Sequence, residues 1–355
     1  GEERKVTAID VFERGGAVRR ASVSAGEIAK LWGLGDVRIG DTIGLPHRSA
    51  EHHFAPPSLE TVVVPSRASD RGPLRVALAR LAEQDPLIDV RQDDVRRELS
   101  VSLYGEVQKE VIQATLADEY GIASEFREVT PIYVERPVAT GEAVEILHAE
   151  TNPYEATIGL RVEPADAGSG IEFRLAVSTL VVPLYIYKTR ESFAAHMDEY
   201  VRDALAEGLF GWQVTDCVVT MTRCAYAIPD GPPSRQGRST PADFRKLTPL
   251  VLTQALERAG TVVCEPMMRA TVEIPAATTG AVVPALARLG AAVERSSVRG
   301  ELSIVEAIVP AARVNDLQRR LPGLTHGEGV LESNFVGYQP VLGEQPARNR
   351  KLNAV

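Results

Sequence analysis

The chain has 355 residues, a formal net charge of −9, 44% hydrophobic and 25% charged residues, values ordinary for a globular protein with room for two to four domains. No run approaches the ~18 apolar residues of a membrane span, and the first six residues hold no apolar signal core, so no membrane partner and no export are expected. The acidic total excludes a body coated with base, but phosphate attraction acts within about 8–10 Å, so a small basic tip remains open.

Residues 1–45 carry short alternating segments and glycine turns at Gly15-Gly16, Gly33, Gly35 and Gly40, which predicts all-β structure too small to close a barrel. A proline-rich junction, Ala55-Pro56-Pro57, follows. Leu59 to Val64 is a β-branched run stopped by Pro65. Asp70 and Pro73 open a helix with Leu74, Ala77, Leu78 and Leu81 on one face, ended by Asp85-Pro86. Two alternating strands, a helix from Gly105 to Tyr120 closed by Gly121, and a strand from Ile122 to Phe126 complete β-α-β-β-α-β, the split βαβ plan.

Residues 131–260 read differently. Strands around Ala156, Ile158, Leu160 and Val162 precede a long helix with Phe193, Met197, Tyr200, Val201, Ala204 and Leu205 as its core stripe. A β run from Val214 to Thr222 leads into a polar loop rich in proline and glycine, expected between Thr222 and Thr240. A second helix then starts with Thr240 as N-cap, Pro241 at N1 and Asp243 at N3, and closes at Gly260. The β-α-β-β-α-β order returns after it. A strand alternates through Met268 to Ile274, and a helical stripe runs Val282, Ala285, Leu286 and Leu289. Two further strands, a helix ending at Pro322-Gly323 and a last strand over 329–335 follow. The end, 343–355, carries Gly343, Pro346 and Asn353 and lacks an apolar stripe, so the pattern gives no signal for a helix there.

This order resembles the back half of elongation factor G. Ser24-Ala25-Gly26-Glu27-Ile28 and Gly40-Asp41-Thr42 are similar to the end of that family's second domain, and Ala82-Glu83-Gln84-Asp85-Pro86 with Gly105-Glu106 to its third. Within the family, several stretches resemble the tetracycline-resistance ribosomal protection branch. They are Tyr133-Val134-Glu135-Arg136-Pro137, Gly168-Ser169-Gly170, Gly208-Leu209-Phe210-Gly211-Trp212, Val214-Thr215-Asp216-Cys217 and, above all, Ser239-Thr240-Pro241-Ala242-Asp243-Phe244-Arg245. The resemblance implies an α+β chain: the end of a β-barrel domain and linker (1–55), a ferredoxin-like domain (56–130), and an S5-like α/β domain bearing the tip (131–262). A second ferredoxin-like domain (263–340) and a tail (341–355) complete it. No Gly-x-x-x-x-Gly-Lys-Ser/Thr loop occurs, so the family's GTPase domain, with its GTP and Mg, is expected to belong to a longer parent, removed or lost here, and no catalysis or cofactor in this chain.

The resemblance also implies that the tip meets small-subunit rRNA at the decoding centre of the ribosome and dislodges tetracycline there. Arg223, Tyr226, Pro229, Arg235, Arg238, Ser239 and Arg245 are the residues expected to make that contact, Tyr226 by stacking on a base and the arginines through phosphate. The stretch and its flanks hold five basic residues against Asp230 and Asp243. The turn Asn152-Pro153-Tyr154 is a second candidate. His52-His53, His148, His196 and His326 carry no ligand or triad pattern, and Cys217, Cys224 and Cys264, odd in number, suit buried filling in a reducing cytoplasm, so no metal is expected. A monomer is expected. Three rival readings stay open: a translocation factor of elongation factor G type, a ferredoxin-like enzyme, which needs a convergent polar pocket, and an interaction protein whose binding ignores RNA and salt.

Overall fold

The computed structural model describes residues 5–13, 15–34, 43, 57–85, 88–93, 98–228 and 237–348. It begins with β1 (Ala8–Glu13), β2 (Gly16–Arg20) and β3 (Ala29–Trp32), an antiparallel sheet of order β2-β1-β3. Val11 is its fully buried residue, whereas Phe12, Val18 and Ile28 are exposed.

The next unit runs β4 (Leu59–Pro65), α1 (Arg71–Gln84), β5 (Val90–Asp93), β6 (Glu98–Leu103), α2 (Glu106–Asp118) and β7 (Ser124–Phe126). Its order is β5-β6-β4-β7, with β8 (Thr130–Pro131) paired to the start of β4. Leu74, Ala77, Leu78 and Leu81 of α1 are buried, as their spacing requires, on Val63, Leu99 and Val101. A 3-10 turn over Ala68–Asp70 precedes α1.

The middle unit comprises β9 (Val134–Pro137), β10 (Gly141–Glu145), β11 (Ala156–Pro164), β12 (Ile171–Leu175), α3 (Leu184–Tyr187), α4 (Arg190–Leu205), β13 (Gln213–Val214), β14 (Cys217–Tyr226) and α5 (Pro241–Ala259). The sheet β10-β11-β14-β12 has β12 parallel to β14 and the rest antiparallel. The stripe Phe193, Met197, Tyr200, Val201 and Leu205 is buried against it, and Phe193 meets Phe244 of α5 edge-on at 5.6 Å. Each such side chain, fully buried, stabilises by about 1.5–3 kcal/mol, which makes this core the platform for everything at its ends.

The last unit, β15 (Thr261–Pro275), α6 (Thr279–Arg288), β16 (Ala292–Arg299), β17 (Leu302–Pro310), α7 (Ala311–Thr325) and β18 (Val330–Pro340), repeats the first ferredoxin-like order as β18-β15-β17-β16. The whole is α+β, two βαββαβ units flanking an α/β unit.

Three expectations change. β15 starts at Thr261 rather than Met268, because its first residues pair with β9, which with β13 extends this sheet. α7 runs through Pro322 to Thr325: although Pro322 has no N–H to donate, its carbonyl accepts from Gly327 and helps close the last turn. β14 reaches Tyr226, so Arg223 and Tyr226 stand on a strand and not in a loop. Their partners across the ladder are Gly159 and Ala156 of β11. The end is not helical over 341–348. Among the described residues no helix is long and apolar enough to cross a membrane.

Candidate functional site

The far end of the β11–β14 pair carries the residues singled out by sequence. Arg223 points outward from β14 and is exposed, while Tyr226 is half-buried and packs on Tyr185 of α3 with ring centroids 5.5 Å apart. Arg238 is exposed and lies over the other partner of that pair, its guanidinium carbon 4.8 Å from the Tyr185 ring centre. Such a contact at an exposed site is worth about 0.5–1 kcal/mol and limits the rotamers of the arginine. Arg245 and Lys246 are exposed on the early turns of α5. Pro229 and Arg235 lie outside the described residues.

The other named residues are structural. Ser239 is 2% exposed. Its hydroxyl donates to the Glu155 carbonyl and accepts the Ala227 N–H at 2.7 Å. The Ser239 N–H in turn donates to the Ala227 carbonyl at 3.1 Å, so the two stems of the loop are stitched together. Asn152 is buried too, its amide donating to the carbonyls of Ile146 and Ala156 at 3.1 and 2.8 Å while its oxygen accepts the Tyr154 N–H. Neither side chain has a donor left to offer a ligand. The second turn is thus a brace, with Pro153 at its exposed point and Tyr154 packed on the core.

The start of α5 ties these pieces into one platform. Asp243 accepts the Thr240 N–H at 2.7 Å, completing the capping interaction its spacing predicts, and its other oxygen accepts the Glu155 N–H at 3.2 Å. Sequence reading missed Tyr185. Its hydroxyl donates to the Ser239 carbonyl at 2.7 Å, so one ring holds Tyr226, Arg238 and the loop stem at once. The only sequence cue was the pair Tyr185 and Tyr187 in a short segment where one aromatic suffices for the core: Tyr187 is buried against Phe193, and Tyr185 is left at the edge.

The electrostatics favour an anion. Among the described residues, no ion pair uses Arg223, Arg238, Arg245 or Lys246, whereas nearby Asp243 is occupied by the cap and Glu155 faces His148 at 3.1 Å. Burial pushes the Cys217 and Cys224 thiols up to about 12, so they stay protonated fillers at neutral pH. Among the described residues no three His, Cys, Asp or Glu side chains converge as a metal site.

Comparison with known proteins identifies the units in order. Elongation Factor G domain III matches residues 54–128, Elongation factor G domain IV matches 132–260, and the Elongation factor G C-terminus matches 262–349. The chain belongs to the elongation factor G family. Its relatives include the Oxytetracycline resistance protein of Streptomyces rimosus, 42% identical over 98% of this chain and 51% of that protein. They also include the Tetracycline resistance protein TetM of Streptomyces lividans, 42% identical over 93% and 48%, and TetW of Butyrivibrio fibrisolvens, 30% identical over 99% and 53%. The chain therefore spans about half the length of the curated relatives it matches. A crystal structure from Thermus thermophilus shares the fold with a TM-score of 0.58 at 22% identity, over 96% of this chain and 51% of that one.

Proposed function

We propose that this chain is the ribosome-contacting portion of a tetracycline-resistance ribosomal protection protein. The observation that carries the reading is kinship along nearly the whole chain to proteins named for tetracycline and oxytetracycline resistance. The platform supports it chemically: exposed Arg223, Arg238, Arg245 and Lys246 stand around a tyrosine pair on an acidic molecule, a combination suited to phosphate and to stacking on an unpaired base. The partner is small-subunit rRNA at the decoding region, and the tip with Pro229 and Arg235 at its outer part dislodges the drug. The chain acts as a monomer in the cytoplasm, divided as 1–55, 56–130, 131–262, 263–340 and a tail. GTP and Mg serve a longer parent, since the backbone nest and lysine of a phosphate loop are not in this sequence.

The test is co-sedimentation of the chain with ribosomes preloaded with labelled tetracycline. Binding with loss of drug from the pellet is the expected result. Binding that leaves the drug in place points to a translocation factor of elongation factor G type, and no binding overturns both.

A further inference from the structure

Four stretches that carry the family resemblance meet at the opposite end of the middle unit from the tip. Glu135 of β9 is fully buried, and its carboxylate accepts backbone N–H groups from Leu209, Phe210 and Trp212 at 2.8, 2.8 and 3.0 Å and the Thr261 hydroxyl at 2.7 Å. A Cβ at Gly208 would stand 2.5 Å from that carboxylate, so only glycine lets the loop wrap it. Arg136 Nε lies 2.6 Å from Asp216 Oδ2 and the same guanidinium also donates to the Tyr338 carbonyl, while Asp216 Oδ1 accepts the Gly170 N–H at 3.0 Å. Tyr133 packs on Trp212 at 4.9 Å.

The tail crosses this cluster. Val341 donates to the Val263 carbonyl, the Val263 N–H donates to Gln345, Trp212 Nε1 donates to the Pro346 carbonyl at 2.7 Å, and the Arg348 N–H donates to the Phe210 carbonyl at 2.8 Å. A Cβ on Gly211, at φ +82°, would meet the Arg348 carbonyl at 2.5 Å, so that glycine admits the tail. The Arg348 guanidinium then stacks on Trp212 at 4.2 Å and forms an ion pair with Glu60 of β4, in the first ferredoxin-like unit.

We propose that residues 345–348 are a strap that fixes the angle of the tip-bearing unit against the first ferredoxin-like unit, with Glu135, Trp212 and Arg348 as positioning residues. From the joint at Cys217 to Tyr226 the strand is ten residues long, roughly 30 Å at ~3.3 Å per residue. A swing of about 10° at the joint therefore moves the tip by about 5 Å over that length, far more than a hydrogen bond tolerates. The tail holds residues from all three units, so losing it frees the swing without touching the core of any one.

The test uses the 355-residue chain with spin labels at Glu150→Cys beside the tip and Arg80→Cys on α1, both exposed; the three native cysteines are buried. Pulsed dipolar spectroscopy should give one narrow distance distribution, widened at least about twofold by Arg348→Ala and by truncation after Gln345, with far-UV circular dichroism unchanged. Widths in both variants equal to that of the unaltered chain overturn the strap. That the angle serves drug release rests on the function proposed above: the same variants should bind ribosomes yet release several-fold less tetracycline. If the unaltered chain releases none, that function fails while the distances still judge the strap.

Discussion

Glu135 shows how one side chain can be spent wholly on architecture. Four donors surround a carboxylate that has no cation within the bonds described for it, and three of them are backbone groups of a single loop. Glu135→Gln keeps the shape but turns an NH2 group toward those donors. We expect a loss of about 2–3 kcal/mol, read as a lowered urea midpoint at unchanged m-value. Ser239 and Arg238, adjacent in sequence, should separate in the same way. Ser239→Ala leaves the half-buried Ala227 N–H and Glu155 carbonyl without their partner and should cost about 1–3 kcal/mol. Arg238→Ala gives up one exposed stack, so stability should move by at most about 1 kcal/mol, and the effect should fall on ribosome affinity. Equal stability losses in the two variants would contradict this division of roles.

Among the elements, α5 was legible to the residue. Thr240, Pro241 and Asp243 mark its start because a cap obeys local chemistry, and local chemistry is what a sequence displays. The cap also reaches across to Glu155, a contact no spacing predicts. Asp243→Ala should accordingly cost more than the ~1 kcal/mol of an ordinary cap, and should loosen the 152–155 turn, which hydrogen exchange at the Glu155 amide would report as faster. Exchange no faster than wild type would reduce Asp243 to a helix cap alone. The two βαββαβ units were readable from period and order because the four strands of each pair with one another. What escaped notice depended on partners distant in sequence. β15 is long only because β9 lies beside it, and the tail is ordered by Trp212, Phe210 and Val263 rather than by any stripe of its own. At the site, charge and aromatic type singled out Arg223, Tyr226 and Arg238, while Ser239 and Asn152, polar and in loop-like sequence, turned out to be buried braces.

On the scale of the whole molecule, a chain of net charge −9 must approach a polyanion through a small exception to its own field. Salt then acts in two directions. It screens the repulsion of the acidic body, which strengthens binding, and it lowers the gain from releasing counterions at the tip, which weakens it. The overall slope of log K against log salt mixes both, so the difference between variants is the cleaner quantity. Each phosphate contact contributes about 0.7–0.9 to the slope. Arg223→Ala and Arg238→Ala should each flatten it by that amount, and the double variant by about twice as much, because the two residues stand on different stems. Arg174→Ala provides the control: that arginine is exposed on the same sheet but paired with Glu172 at 2.7 Å, and its removal should leave the slope as it was. Affinity measured by co-sedimentation between about 50 and 200 mM salt spans the range in which phosphate contacts make large differences. If the control shifts the slope as much as the tip variants do, the ribosome is responding to total charge, and the tip has no privileged contact with phosphate.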